Sequence, residues 1–390
     1  MAMTETMVQG RCDERFEAVR AEFARNFAER QDVGAAVAVT VDGEMVVDLW
    51  GGYADAARTR PWERDTLVNV YSTTKGLTAL CAHQLVARGQ LDIDAPVASY
   101  WPEFAQAGKE SMPVRWLLSH RAGLTGPAER LTVEEVRDWD RVCAALAATP
   151  PWWEPNTVSG YHALTFGYLV GEVVRRISGR SLGTFLRDEV AEPLGADMYV
   201  GIPESELPRC AEIIPAADQS ASALAQSEAG VHPGIAAIAH CPMGDVNDPL
   251  TRMAEIPAGN GHMTARAIAT AYGALANGGA IDGIRIVDAD AVELMREPQP
   301  AVQDLLLSQI IGGRDWQWGL GFMLNQLGAS GPNERAFGHG GAGGSWSFAD
   351  PERHVSYAYV MNKMAGGTTG EQMRSVALVN ALYAALDEID

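Results

Sequence analysis

Residues 73–88, Thr-Thr-Lys-Gly-Leu-Thr-Ala-Leu-Cys-Ala-His-Gln-Leu-Val-Ala-Arg, constrain the fold more than any other stretch of the chain. They read as a helix stopped at Gly89 and mostly apolar around its whole circumference. Such a helix has to be enclosed by the rest of the protein. It follows a strand-like run ending in Val70-Tyr71, so its start meets the edge of a sheet. Ser72 and Lys75, three residues apart, share one face of that first turn. The turn carries unpaired N–H groups and partial positive charge, which favour an ionised oxygen on the serine and a neutral amine on the lysine. That pairing turns a hydroxyl into a nucleophile. The same spacing also describes a helix-capping serine with a solvated lysine. The lysine count bears on the choice: the chain has three lysines, Lys75, Lys109 and Lys363, and every other strong base is arginine. Arginine keeps its proton in a protein, whereas a buried lysine can lose it.

The flanking sequence shows how such a helix can be enclosed. Residues 12–30 carry Phe16, Val19, Phe23 and Phe27 at helical spacing. Residues 34–40 and 44–50 read as a hairpin. A long helical stretch follows, with helices expected over 114–119, 131–148, 161–177 and 182–190. Residues 200–260, rich in Pro, Ala and Gly, read as a long irregular segment over the surface. A helix over 264–277 comes next, then strands over 318–324, 344–349 and 354–361, the last two joined by a tight turn at Asp350-Pro351-Glu352-Arg353. An amphipathic helix over 369–389 closes the chain. Both ends therefore contribute to one α/β domain, residues 10–71 and 265–390, and a mainly helical domain, residues 72–264, is inserted between them. The active site is expected between the two. At 390 residues the chain can bury a large core.

Two further clusters can complete a site around Ser72. Ser159-Gly160-Tyr161-His162-Ala163 is a loop entering a helix, where a tyrosine can point its hydroxyl across a cleft or sit half-buried as an ordinary core residue. Phe337-Gly338-His339-Gly340-Gly341-Ala342-Gly343-Gly344-Ser345-Trp346 is glycine-rich ahead of a strand, which suggests close approach of the backbone to a ligand or to another element. Its formal G-x-G-x-x-G is followed by a strand rather than a helix, which argues against a dinucleotide site.

Several function classes are disfavoured. The net charge of −20 opposes binding to nucleic acid or to an anionic membrane. Five scattered cysteines without a C-x-x-C pair, and no H-E-x-x-H, argue against a disulfide framework or a metal site, and no cofactor is expected. The absence of G-x-S-x-G speaks against the α/β-hydrolase route to ester cleavage. No apolar run reaches membrane-spanning length, and Met1-Ala2-Met3-Thr4-Glu5-Thr6 lacks the features of a secretory signal, so a cytoplasmic protein is expected.

Taken together, Ser72-Thr73-Thr74-Lys75, Leu117-Leu118-Ser119-His120-Arg121-Ala122-Gly123-Leu124, Tyr161-His162-Ala163, Gly259-Asn260-Gly261-His262-Met263-Thr264, Trp318-Gly319-Leu320-Gly321-Phe322 and His339-Gly340-Gly341 resemble, in order and over nearly the whole chain, the serine β-lactamase and penicillin-binding-protein superfamily. The resemblance is to its class C-like branch, which includes the family VIII carboxylesterases. It implies an α+β (α/β) two-region fold, an antiparallel sheet flanked by the N- and C-terminal helices plus the inserted helical region. It implies Ser72 as the acylated nucleophile, Lys75 as its base, Tyr161 as proton relay, and the N–H groups of Ser72 and Ala342 as the oxyanion hole. His339, Gly340 and Gly341 fall at the lactamase K-T-G, so the ammonium and hydroxyl that bind a substrate carboxylate are absent. Ala163 replaces the Asn of Y-x-N. These departures favour ester hydrolysis over β-lactamase or D-amino-acid peptidase activity, and the intact trio of Ser72, Lys75 and Tyr161 speaks against a non-catalytic scaffold with this fold. Trp152, Trp153 and Trp346 are candidates for an apolar wall of the substrate pocket, or for core positions. The expected partner is a small ester, taken up by a monomer or homodimer.

Overall fold

The computed structural model describes residues 8–216, 232–308, 315–365 and 367–388, the last stretch with side chains from Arg374 onward. Residues 1–7 and 217–231, which fall in the amino-terminal and irregular segments noted above, lie outside the described residues. In chain order the elements that position the site are β1 (Val8–Cys12), α1 (Glu17–Glu29), β2 (Gly34–Val41), β3 (Glu44–Gly52), β4 (Val68–Asn69), α2 (Thr74–Ala87), α3 (Val114–Leu118), α4 (Trp139–Ala148), α5 (Thr165–Ser178), β5 (Met198–Tyr199), β6 (His262–Met263), α6 (Ala265–Ala276), β7 (Met323–Leu324), β8 (Phe337–Gly340), β9 (Trp346–Asp350), β10 (Val355–Met361) and α7 (Gly367–Asp387).

Seven of the strands form one antiparallel sheet in the order β1-β3-β2-β10-β9-β8-β7. Its centre joins the two ends of the chain, with Val37 opposite Tyr359 and Val41 opposite Val355. Alternation along the strands separates two apolar faces. Val37, Val39, Val47, Leu49, Tyr357 and Tyr359 pack with Phe16 and Phe23 of the N-terminal segment and Leu378, Leu382 and Leu386 of α7. Ala38, Ala358 and Val360 face the other way, into the larger core that contains α6, α2 and the inserted helices. The small side chains on this face let α6 lie close against the sheet.

Helix α2 is enclosed as its composition requires: every residue from Thr74 to Leu85 is buried. It packs against α5 on one side and, across Gly76, against Tyr272 of α6. A short three-stranded sheet, β4-β6-β5, delivers the chain to its start. No helix among the described residues is long and apolar enough to cross a membrane.

The structure corrects several local expectations. Strand β1 was not foreseen; Gly10 and the polar residues beside it hide an edge strand that pairs with β3 from Val8–Gly51 to Cys12–Val47. The helix expected over 131–148 is two pieces. A Thr132–Glu135 capping box starts the first, and Asp138 caps α4 anew. The strand expected over 318–324 contracts to β7, because Gly319 N–H bonds Phe322 O and Gly321 turns at φ +94°. The glycine-rich segment is not simply a loop ahead of a strand: Phe337–Gly340 is itself the inner strand β8, paired to β7 and β9. Strand β9 accordingly begins at Trp346 rather than Gly344, since Gly341–Ser345 form the connecting turn.

Candidate active site

Ser72 sits in a tight turn between β4 and α2. Tyr71 takes a left-handed backbone conformation, φ +47°, which is costly for a residue with a side chain. Three successive turn bonds hold it there: Thr73 N–H to Val70 O, Thr74 N–H to Tyr71 O and Lys75 N–H to Ser72 O, at 3.2, 3.0 and 3.0 Å. Val70 N–H is fixed by Gly261 O, and Thr74 Oγ1 accepts Gly261 N–H, so the short sheet and the helix start clamp the turn from both sides.

Lys75 is fully buried. Its Nζ lies 3.0 Å from Ser72 Oγ, 2.7 Å from Ala163 O and 2.8 Å from Ala258 O, and 4.7 Å from the centre of the Tyr161 ring. Burial without a carboxylate partner pushes its pKa well below the ordinary lysine value. A neutral amine has two N–H bonds and one lone pair. The two carbonyls take the N–H bonds, which leaves the lone pair for the Ser72 proton. Ala163, where an asparagine side chain was expected to be missed, thus contributes through its backbone.

Tyr161 is half-buried in the same site, and its hydroxyl meets that of Ser72. Burial raises the phenol above its usual range, against the pull of the Ser72 hydrogen bond. Its ring lies nearly parallel to Trp318, 5.6 Å away with 6° between the planes, and 4.9 Å from His120. The loop that carries it is bonded to His120 twice, through Gly160 N–H to His120 O at 3.0 Å and His162 N–H to His120 Nδ1 at 3.1 Å.

The β8–β9 turn reaches across to Ser72. Ser345 Oγ donates to Val70 O at 2.9 Å and lies 3.0 Å from Thr73 Oγ1. The approach is so close that a Cβ on Gly341 would stand 2.2 Å from Val70 O. Ala342 occupies the tip of this turn. Among the described residues, neither its N–H nor that of Ser72 has an acceptor. Both residues border one cavity of about 260 Å³, also lined by Tyr161, His339, Trp346, Leu307, Met323 and Val376.

His339 opens onto this cavity as a neutral group. Its Nδ1 lies 2.7 Å from Gly340 O, which holds the proton on Nδ1 and leaves Nε2 as an unpaired acceptor. Burial, then the nearby Lys75, lower its pKa to about 3, against the Gly340 hydrogen bond. No charged side chain lines the cavity among the described residues.

The structure therefore gathers Ser72, Lys75, Tyr161, Ala342, His339, Gly340, Gly341 and Trp346 around one space. Trp152 and Trp153 do not line it. The Trp152 indole donates to Gly126 O, and Trp153 wedges behind Gly160 and Gly234 while facing a separate surface cleft with Trp116 and Pro155. They support the Tyr161 loop from behind. His120, part of the Leu117–Leu124 segment, is buried against Tyr161, and Asp304, unremarked in the sequence, bonds the Tyr161 loop.

The family model described as Beta-lactamase matches residues 23–381. The esterase/beta-lactamase LipL of Mycobacterium tuberculosis (strain ATCC 25618 / H37Rv) is 39% identical over 375 residues, 92% of this chain and 83% of its own length. A crystal structure of a family VIII carboxylesterase superposes with a TM-score of 0.89 at 43% identity, covering 97% of this chain and 99% of that one. A penicillin-binding-protein homolog from Caulobacter crescentus gives 0.88 at 42% identity over the same shares.

Proposed function

The chain belongs to the beta-lactamase family, and we propose that within it the protein is a carboxylesterase working through a Ser72 acyl-enzyme. The observation that carries the ester reading is the uncharged cavity beside Ser72, with the imidazole of His339 neutral where a substrate carboxylate would need a cation. The similarity to an esterase/beta-lactamase and to a family VIII carboxylesterase supports the same substrate class.

In the first step the Ser72 hydroxyl passes its proton to neutral Lys75 as its oxygen attacks the ester carbonyl. The N–H groups of Ser72 and Ala342 receive the charge that develops on the carbonyl oxygen. The C–O bond to the alcohol breaks, and the alcohol leaves with the proton delivered from Lys75 through the Tyr161 hydroxyl. Water then gives its proton back along the same route and attacks the acyl-enzyme, releasing the acid and restoring Ser72.

A panel of nitrophenyl acyl esters run beside a chromogenic cephalosporin tests the reading. Esters are expected to turn over faster, and Ser72→Ala to abolish that turnover with the fold intact. A cephalosporin turned over faster than any ester would make the protein a β-lactamase instead. Undiminished ester hydrolysis by Ser72→Ala would remove Ser72 from the mechanism, and no covalent labelling of Ser72 by a fluorophosphonate would leave a non-catalytic scaffold.

A further inference from the structure

We propose that Asp304 is the positioning residue of the proton relay, holding Tyr161 on Ser72 through its backbone and through its stacking partner; this rests on the reading of Tyr161 as the relay. Asp304 is fully buried. Its Oδ1 accepts the N–H groups of Tyr161 at 3.3 Å, Leu306 at 3.0 Å and Leu307 at 2.9 Å. Its Oδ2 accepts the Ser159 hydroxyl at 2.9 Å and the Trp318 indole N–H at 3.4 Å. These five donors are all neutral and come from three separate segments of the chain.

The arrangement controls Tyr161 from two directions. Ser159 N–H bonds Gln303 O at 3.1 Å and Leu305 N–H bonds Ser159 O at 2.9 Å, so the Tyr161 loop is knitted to the Asp304 segment along its backbone. Trp318, oriented by the same carboxylate, lies flat against the Tyr161 ring. Leu307, whose N–H the carboxylate also holds, lines the cavity beside Ser72. Burial, and behind it the negative charge of Asp304, raise the phenol so that it keeps its proton, against the pull of the Ser72 hydrogen bond. Asp304 makes no hydrogen bond to Ser72 or Lys75; it meets the site through the Tyr161 loop and Trp318 on one side and through Leu307 on the other, and the dependence of its effect on the Tyr161 hydroxyl tells the two routes apart.

An apolar side chain here would leave these donors unpaired, whereas one acceptor oxygen would suffice to cap the turn at Leu306 and Leu307. Only the second oxygen reaches Ser159 and Trp318. Asp304→Asn keeps one acceptor and loses the other, which separates the two uses.

The experiment is a double-mutant cycle on kcat and KM for a nitrophenyl ester, with Asp304→Asn, Tyr161→Phe and the pair. Asp304→Asn is expected to lower kcat roughly 10- to 100-fold with KM little changed. In the Tyr161→Phe background the same substitution is expected to change kcat by less than about twofold. A loss that carries over in full to that background overturns the proposal, because Asp304 would then act on the fold or on another group. Tyr161→Phe with wild-type kcat overturns the relay reading itself, and is a distinct result. If Asp304→Asn does not fold, Trp318→Phe removes one donor and keeps a stacked ring. It is expected to lower kcat in the same direction, with the loss again vanishing in Tyr161→Phe; an additive loss overturns the proposal.

Discussion

The Lys75 amine stands 3.0 Å from the Ser72 hydroxyl while the carbonyls of Ala163 and Ala258 occupy its other side. The geometry suits a base that is neutral before substrate arrives. Lys75→Arg keeps a positive charge and removes the base, and is expected to lower kcat/KM for esters roughly 10²- to 10⁴-fold. Steady-state kinetics on a nitrophenyl ester checks it, and retained activity would take Lys75 out of the role.

On the proposed mechanism the acidity of the same group sets the pH profile. Burial lowers the Lys75 pKa well below its ordinary value, and the base works when unprotonated. Ester hydrolysis should therefore reach its plateau far below about pH 10.4, the ordinary lysine range, and fall on the acid side as Lys75 takes up a proton. His162 and His339, both lowered to about 3 chiefly by burial, should add no inflection near neutrality. A kcat/KM profile still climbing at pH 10 would contradict this.

Linkage gives a matching statement about stability. The unfolded chain holds a protonated Lys75 up to about pH 10.4, and the folded chain has released that proton at a lower pH. Between those two values the unfolded state binds one proton more, so stability rises with pH by about 1.4 kcal/mol per unit from this residue alone. As pH falls through the window, that contribution is lost. Chemical denaturation of wild type and Lys75→Met at pH 8 and pH 9 should show wild type gaining about this much on the variant; parallel behaviour would mean that Lys75 is protonated in the fold.

Gly341 is the second point of control. A methyl there would press on Val70 O and on Ser345 Oγ, 2.3 Å from the added carbon. Gly341→Ala should push the β8–β9 turn, and with it the Ala342 N–H, away from Ser72. Loss of one such donor corresponds to about 10²- to 10³-fold in kcat. Kinetics paired with thermal unfolding checks it: a full-rate variant would remove the Ala342 N–H from the oxyanion site.

Arg374, next to the cavity-lining Ser375 and Val376, ties α7 to the sheet. It forms a buried ion pair with Asp32 at 2.9 Å and donates to Arg30 O and Lys363 O. Asp32 is already raised to about 6 by burial, with Arg374 opposing the rise. Arg374→Met leaves that carboxylate without its cation and should cost about 3–5 kcal/mol at neutral pH. A raised carboxyl pKa gives stability that is full below the unfolded value and lost as pH rises through the folded one. The deficit should therefore be smaller at pH 5 than at pH 8, as measured by urea titration.

Residues differ in how far the chain declares them. Ser72 and Lys75 are visible because their spacing and the scarcity of lysine are local facts, and the burial of α2 follows from an unbroken apolar circumference. Strand β8 is hidden because glycine weakens a strand signal, yet a side chain at Gly338 would meet Ser347 O and Phe348, and one at Gly340 would meet the Trp346 ring. The paired tryptophans Trp152 and Trp153 suggested a pocket wall by composition; their neighbours Gly126, Gly160 and Gly234 decide otherwise. Asp304 shows in the sequence at most as a turn cap for Leu306 and Leu307, since the partners that tie it to the site lie 143 to 145 residues earlier and at Trp318.

The sheet seam has a temporal consequence. Thr40 of β2 and Ser356 of β10 share a hydrogen bond across 316 residues of chain. During synthesis β1, β2 and β3 emerge well before β10, and the inner edge of β2 stays unpaired until Ser356, 316 residues beyond Thr40, has been made. Long-range pairing of this kind closes slowly and leaves an apolar strand edge uncovered meanwhile. The order of events places Ser72 and Lys75 in the nascent chain early and completes the sheet around them last, so a C-terminal truncation reaching β10 removes the centre of the sheet rather than its margin.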